Sequence, residues 1–229
     1  RHFLSAMSQE RGRRRNKGQS MRDLFAELSA HCVDHFSLSE DGLREIIERH
    51  KCAPNNKDIQ RYDFFCEACC HERVTDGIIR CLLEYFPDAA SATDQYGRTP
   101  LHILCRNKNV TLEIVRLLID AFPGSLHQED NDGWMPLHHI CCNKNPDDAI
   151  SLEILTLFVE KCPESVRHAN YDGYLPIHLA CGWGEKSPEF CRILIEAYPG
   201  SEQYANRKGA LPFHCACYRG TVATVEYLY

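Results

Sequence analysis

Nine residues recur four times along the chain: GRTPLHILC (97–105), GWMPLHHIC (133–141), GYLPIHLAC (173–181) and GALPFHCAC (209–217). Their glycines are spaced by 36, 40 and 36 residues, a period that indicates an array of stacked units. One substrate needs one constellation of reacting groups, so a motif present in four copies reads as a structural part used repeatedly.

Upstream the array decays. One period before Gly97, RYDFFCEAC (61–69) keeps Phe64, Phe65 and Cys69 but has lost Gly, Pro and His. A further period back, around Phe25 to Val33, only helical character remains, although LREII (43–47) still aligns with IRCLL (79–83) and Asp58 with Asp94. Terminal repeats that face solvent are expected to diverge in this way. The expected organisation is a basic, disordered leader over 1–22, a degenerate helical cap over 23–60, and an array over 61–229 with units starting near 61, 97, 133, 173 and 209, the last truncated.

Punctuation parses each unit. Gly133 supplies a positive-φ turn, and Pro136 sits where a first helical turn accepts it, opening the short helix LHHICC. Ser151 then reads as the N-cap of a second helix, LEILTLFVEKC, with Glu153 near its positive end; Thr111-Leu-Glu and Ser187-Pro-Glu repeat the cap. Proline stops that helix in every copy, at FPD (86–88), FPG (122–124), CPE (162–164) and YPG (198–200). An extended loop follows, ending in the turn signals DQYG, DNDG, NYDG and NRKG. The four extra residues of the longest spacing fall in NPDDAIS (145–151), between the two helices.

This pattern resembles the ankyrin repeat. The residues that carry the likeness are T-P-L-H at Thr99 to His102 and its variants at 135–138, 175–178 and 211–214. It covers roughly residues 41 to 229, with units longer than the common 33 residues. The resemblance implies an all-α, ankyrin-like helical solenoid of about five stacked helix-turn-helix units with short hairpin-like turns. It also implies a structural role for the motif positions Gly97, Pro100, His102, Gly133, Pro136, His138, Gly173, Pro176, His178, Gly209, Pro212 and His214, the histidines tying turn to helix. The cysteine column, Cys69, Cys105, Cys141, Cys181 and Cys217, occupies a place that usually holds a small residue.

Geometry agrees that these columns are not reactive sites. Stacked helices lie about 8–10 Å apart, too far for successive histidines to share one metal at bond lengths near 2 Å or for successive cysteines to form a disulfide ladder. A better metal candidate is Cys66, Cys69, Cys70 and His71, with Cys32 and Cys52 as supplements, but no second C-x-x-C pair stands at zinc-ribbon spacing; no metal and no cofactor are expected. Serine-hydrolase, zincin, Walker and dinucleotide motifs are absent. The chain is therefore read as non-enzymatic.

The charge balance excludes more. Residues 1–22 hold seven basic side chains and one acidic, a net of +6, so the formal −6 of the whole leaves −12 for the rest. RGRRRNKG (11–18) could contact phosphate or serve as a targeting signal, but the acidic body argues against a nucleic-acid partner. No run of about 18 apolar residues is present for a membrane span, and the first residues lack a secretory apolar stretch. Fourteen cysteines inside apolar helical patterns fit an intracellular, reducing compartment, the cytoplasm or the nucleus. Starting at Arg1 and stopping within VATVEYLY, the chain reads as a fragment.

Function is expected on the variable surface of turn tips and exposed first-helix ends. The proposed contacts to a protein partner are Tyr96, Arg98, Asp132, Trp134, Tyr171, Tyr174, Trp183 and Arg207, since aromatic residues and Arg dominate binding hot spots. Arg106, Asn107, Cys142, Asn143 and Gly182 are read as exposed helix ends on the same face. The alternative is that this array is the recognition half of a larger enzyme or signalling protein. No small-molecule substrate is implied.

Overall fold

A computed structural model describes residues 21–34, 38–50, 63–144, 147–183 and 186–229. The basic run 11–17, Cys52, Asp58 and the first two residues of the 61–69 segment lie outside them. Among the described residues there are twelve α-helices and no strand, as an all-α helical solenoid requires.

The helices come in six pairs. The first is α1 (21–33) with α2 (Glu40–His50), followed by α3 (Asp63–Cys70) with α4 (Asp76–Tyr85). Then come α5 (Pro100–Leu104) with α6 (Leu112–Ala121), α7 (Pro136–Cys142) with α8 (Asp148–Lys161), α9 (Pro176–Gly182) with α10 (Pro188–Ala197), and α11 (Pro212–Arg219) with α12 (Val222–Leu228). First helices pack on first helices, from α3 through α5, α7 and α9 to α11, and second helices on second helices, from α2 through to α12. Two helical layers result, with an apolar seam between them.

The local causes are those the residue types dictate. Thr75, Thr111, Ser187 and Thr221 cap their helices, each side-chain oxygen accepting from the N–H three residues on. Proline opens α5, α7, α9, α10 and α11. In the fourth pair the expected cap is displaced: Asp147 caps α8, and Ser151 lies fully buried inside it. The extra residues of that unit thus lengthen the helix to 14 residues, against 10 in α6 and α10, in addition to the connection.

After the second helix the chain does not run straight into an extended loop. Phe86, Phe122 and Cys162 leave the helical region, and the proline that follows each begins a five-residue 3-10 turn at Pro87–Ser91, Pro123–His127 and Pro163–Arg167. Only then does the backbone extend. Proline's fixed φ suits this tight turn while barring the residue before it from the helical region.

The seam is filled by Leu101, Leu104, Ile114, Leu118, Leu155 and Phe158, all at most 2% exposed. Cys69, Cys105, Cys141 and Cys181 are fully buried between neighbouring units as small apolar side chains. Burial pushes the Cys105 and Cys141 thiols far above their ordinary range. Cys217, the last of that column, is exposed.

Candidate functional site

Every turn tip is built by one acidic or amide side chain. Asp94 Oδ1 accepts from the N–H groups of Tyr96 and Arg98, and Asp130, Asn170 and Asn206 repeat this at the same offsets, all at 2.8–3.1 Å. The choice between acid and amide follows the second oxygen. Asp94 pairs with Arg98 at 2.7 Å, Asp130 with His139 at 3.2 Å, and the tips without such a partner carry asparagine. Burial alone would raise the Asp130 carboxyl, but hydrogen bonds from His139, Trp134 and Asp132 prevail and hold it below the usual carboxylate range.

Tips are joined to one another through the backbone. Asn131 N–H donates to Tyr96 O, Tyr171 N–H to Asp132 O, and Arg207 N–H to Asp172 O. Gly97, Gly133, Gly173 and Gly209 all have positive φ. At Gly173 a Cβ would also meet the Arg207 backbone nitrogen at 2.8 Å, so close stacking needs glycine there as much as the turn does.

The histidine column ties this layer to the helices. His102 Nδ1 accepts from Thr99 N–H at 3.1 Å, which places the ring proton on Nε2, and Nε2 donates to Trp134 O of the next unit at 3.0 Å. His138 links Met135 N–H to Tyr174 O, and His178 links Leu175 N–H to Ala210 O, in the same way. Each ring therefore fastens turn to helix, as the resemblance implies, and also unit to unit. Burial drives the His102 imidazole down to about 4 and that of His138 to about 3, so both are neutral at physiological pH.

A groove crosses the tips and first helices. One lobe, of about 520 Å³, is lined by Tyr96, Arg98, Arg106, Asp130, Asp132, Trp134, His139, Tyr171 and Asp172. A second, of about 420 Å³, is lined by Arg106, Trp134, His139, Cys142, Asn143, Lys144 and Trp183. The lobes share Arg106, Trp134 and His139, which makes them one surface. Trp134 stacks on His139 with ring centroids 5.1 Å apart. Tyr174 meets Trp183 edge-on at 5.4 Å, and Arg219 lies over the Trp183 ring.

Six of the eight expected contact residues, Tyr96, Arg98, Asp132, Trp134, Tyr171 and Trp183, line this groove. Tyr174 stands behind it, half-buried against His178 and Trp183, and Arg207 lies outside, on the next tip. Arg98 is engaged by Asp94 and by the Tyr96 ring, which leaves Arg106 as the more available cation; among the described residues Arg106 makes no ion pair. Asp130, His139 and Lys144 were not expected on this face, whereas Arg106, expected there as an exposed helix end, and the tip residue Asp172 do line the groove. His139 had a signal: its column otherwise holds Ile103, Leu179 and Cys215, so one polar residue breaks an apolar position.

The helix ends need correcting. Asn107 and Asn143 are 7% and 6% exposed and Gly182 is buried. Asn107 Nδ2 donates to Cys69 O and His71 O, and Asn143 Nδ2 to Cys105 O and Asn107 O, at 2.8–3.0 Å. These amides satisfy carbonyls at and just beyond the C-terminus of the preceding first helix, two of which, His71 O and Asn107 O, also accept from Val74 N–H and Val110 N–H.

The cysteine-rich metal candidate is dispersed. Cys66 and Cys69 are buried, Cys70 is exposed, and His71 Nδ1 accepts from Arg73 N–H. Burial pushes the Cys66 thiol up to about 12. None of this set belongs to a group of three converging ligand atoms among the described residues.

A family model described as ankyrin repeats, in three copies, matches residues 65–152. No curated protein matches the chain. Residues 65–152 are therefore similar to ankyrin repeats, and the tip, the histidine with its turn-to-helix bond and the helix pair recur beyond them through Pro212 to Leu228.

Proposed function

We propose that the chain is a non-catalytic scaffold that binds a protein partner through the groove across its turn tips and first helices. Ankyrin repeats generally mediate protein–protein interaction, and the observation that carries the reading here is the continuity of the two lobes through Trp134, His139 and Arg106. Aromatic faces beside an arginine are the composition of binding hot spots. The partner would place an apolar or aromatic side chain between Trp134 and Trp183 and a carboxylate or carbonyl against Arg106. Asp132 and Asp172 at the rim would reject a second acidic group.

In this reading residues 61–229 act as one binding array with 23–60 as its cap, and the thiol-lined seam suits a reducing, intracellular compartment. No described helix is long and apolar enough to cross a membrane. The test is affinity capture with the parent chain and with an Arg106→Ala/Tyr171→Ala variant, both exposed positions, after matching their thermal stability. A partner held by the parent and lost by the variant supports the groove, whereas equal capture refutes it.

A further inference from the structure

Away from the residues that line the groove, the 3-10 turn after α6 meets the 3-10 turn after α8. His127 Nδ1 lies 3.1 Å from Glu164 Oε1 and 3.4 Å from Cys162 Sγ. All three ligand atoms fall within 4.8 Å of one another, and this is the one such group of His, Cys, Asp or Glu among the described residues. A single imidazole nitrogen presents one lone pair or one proton, so two partners converging on it face a common point that one hydrogen bond does not fill.

The repeat does not account for these residues. At the position of Cys162 the other units place Phe86, Phe122 and Tyr198, aromatic side chains that close the end of the second helix. Ser91, Arg167 and Gln203 stand in the place of His127, and Asp88, Gly124 and Gly200 in that of Glu164. Among the described residues, thiol, imidazole and carboxylate come together only at this seam.

We propose that His127, Cys162 and Glu164 form a zinc site that clamps the third helix pair to the fourth. Tetrahedral zinc with bonds of about 2.0–2.3 Å separates neighbouring ligand atoms by about 3.3–3.6 Å, close to the two spacings found. A thiolate with imidazole and carboxylate selects zinc over the hard cations calcium and magnesium. Three protein ligands leave the fourth position to water. Binding converts the Cys162 thiol to thiolate, its proton passing to solvent as the S–Zn bond forms. The buried sulfur is reached past His127 and Glu164, whose side chains are 51% and 57% exposed and can swing to admit the ion.

The test is titration of chelator-stripped full chain with Co²⁺, the spectroscopic stand-in for Zn²⁺, alongside His127→Ala, Cys162→Ser and, as a control, the exposed thiol variant Cys70→Ser. The expected result is one equivalent giving a thiolate-to-cobalt charge-transfer band, displaced by Zn²⁺, in the parent and in Cys70→Ser. In His127→Ala, whose side chain is outside the core, binding should weaken at least ~10-fold while helicity and melting temperature stay at the parent's metal-free values. A parent without the band, or a band of unchanged affinity in His127→Ala, would overturn the site.

Discussion

His102 Nε2 donates to the carbonyl oxygen of Trp134, 3.0 Å away and 32 residues later in the chain. The same ring accepts from Thr99 N–H at Nδ1, which it can do only while neutral. Protonation would keep the bond to Trp134 but turn Nδ1 into a donor facing a donor, so the tie between turn and helix is linked to pH.

The sign of the linkage follows from the direction of the shift. An unfolded histidine binds a proton near pH 6.5, whereas His102 and His138 resist protonation down to about 4 and about 3. Between those values the unfolded chain holds more protons than the folded one, so stability is full above about pH 6.5 and falls as the pH drops. The loss should reach on the order of 3 kcal/mol for each of the two rings. Urea unfolding midpoints at pH 7.5, 6 and 5 should fall steadily; a flat profile across this window would refute the staple.

Asn143→Ala should lower stability by about 2–4 kcal/mol, since it strips hydrogen bonds from two buried carbonyls, Cys105 O and Asn107 O. Asn131→Ala, at an exposed tip whose side-chain bond to Gln95 O is 3.3 Å long, should change it by less than about 0.5 kcal/mol. Equal midpoints for the two variants would contradict the buried amide ladder.

Two tip glycines separate strain from crowding. Gly209 has φ +75° and nothing within 4 Å of a Cβ position, while Gly173 has φ +81° and the Arg207 backbone nitrogen at 2.8 Å. Gly209→Ala should therefore cost about 1–2 kcal/mol from the left-handed conformation alone. Gly173→Ala should cost clearly more, because the neighbouring tip must move. Thermal melts giving the reverse order would show that the tips do not stack as described.

Lys186 is 3% exposed, with Nζ donating to Ser151 Oγ at 2.9 Å and lying 5.2 Å from the Phe190 ring centre. Burial lowers its pKa, so stability should rise as the pH climbs toward the ordinary lysine range. Lys186→Met should leave stability unchanged or raise it by about 1–2 kcal/mol at neutral pH. Ser151→Ala should lower it by about 1–3 kcal/mol, since the buried amine loses its acceptor. The comparison is read from denaturant midpoints, and a destabilised Lys186→Met would show that the ammonium makes a net contribution.

The period, the helix pair, the glycine turns, the proline stops and the histidine column were legible in the chain because local chemistry sets them. Gly needs its positive φ, Pro its missing N–H, and apolar residues their helical spacing, whatever the neighbouring unit contributes. The direction in which a polar side chain points was not legible. Asn107 and Asn143 read as exposed helix ends, yet their amides reach back to carbonyls 36 and 38 residues earlier. Ser151 read as a cap, yet it receives Lys186 from the next unit. His139 and Arg106 join the groove only because Trp134 of the adjacent tip lies against the same helices. A repeat length states that units stack, but the rotation between successive units decides which side chains meet, and that rotation is set by packing of the two helical layers on their neighbours.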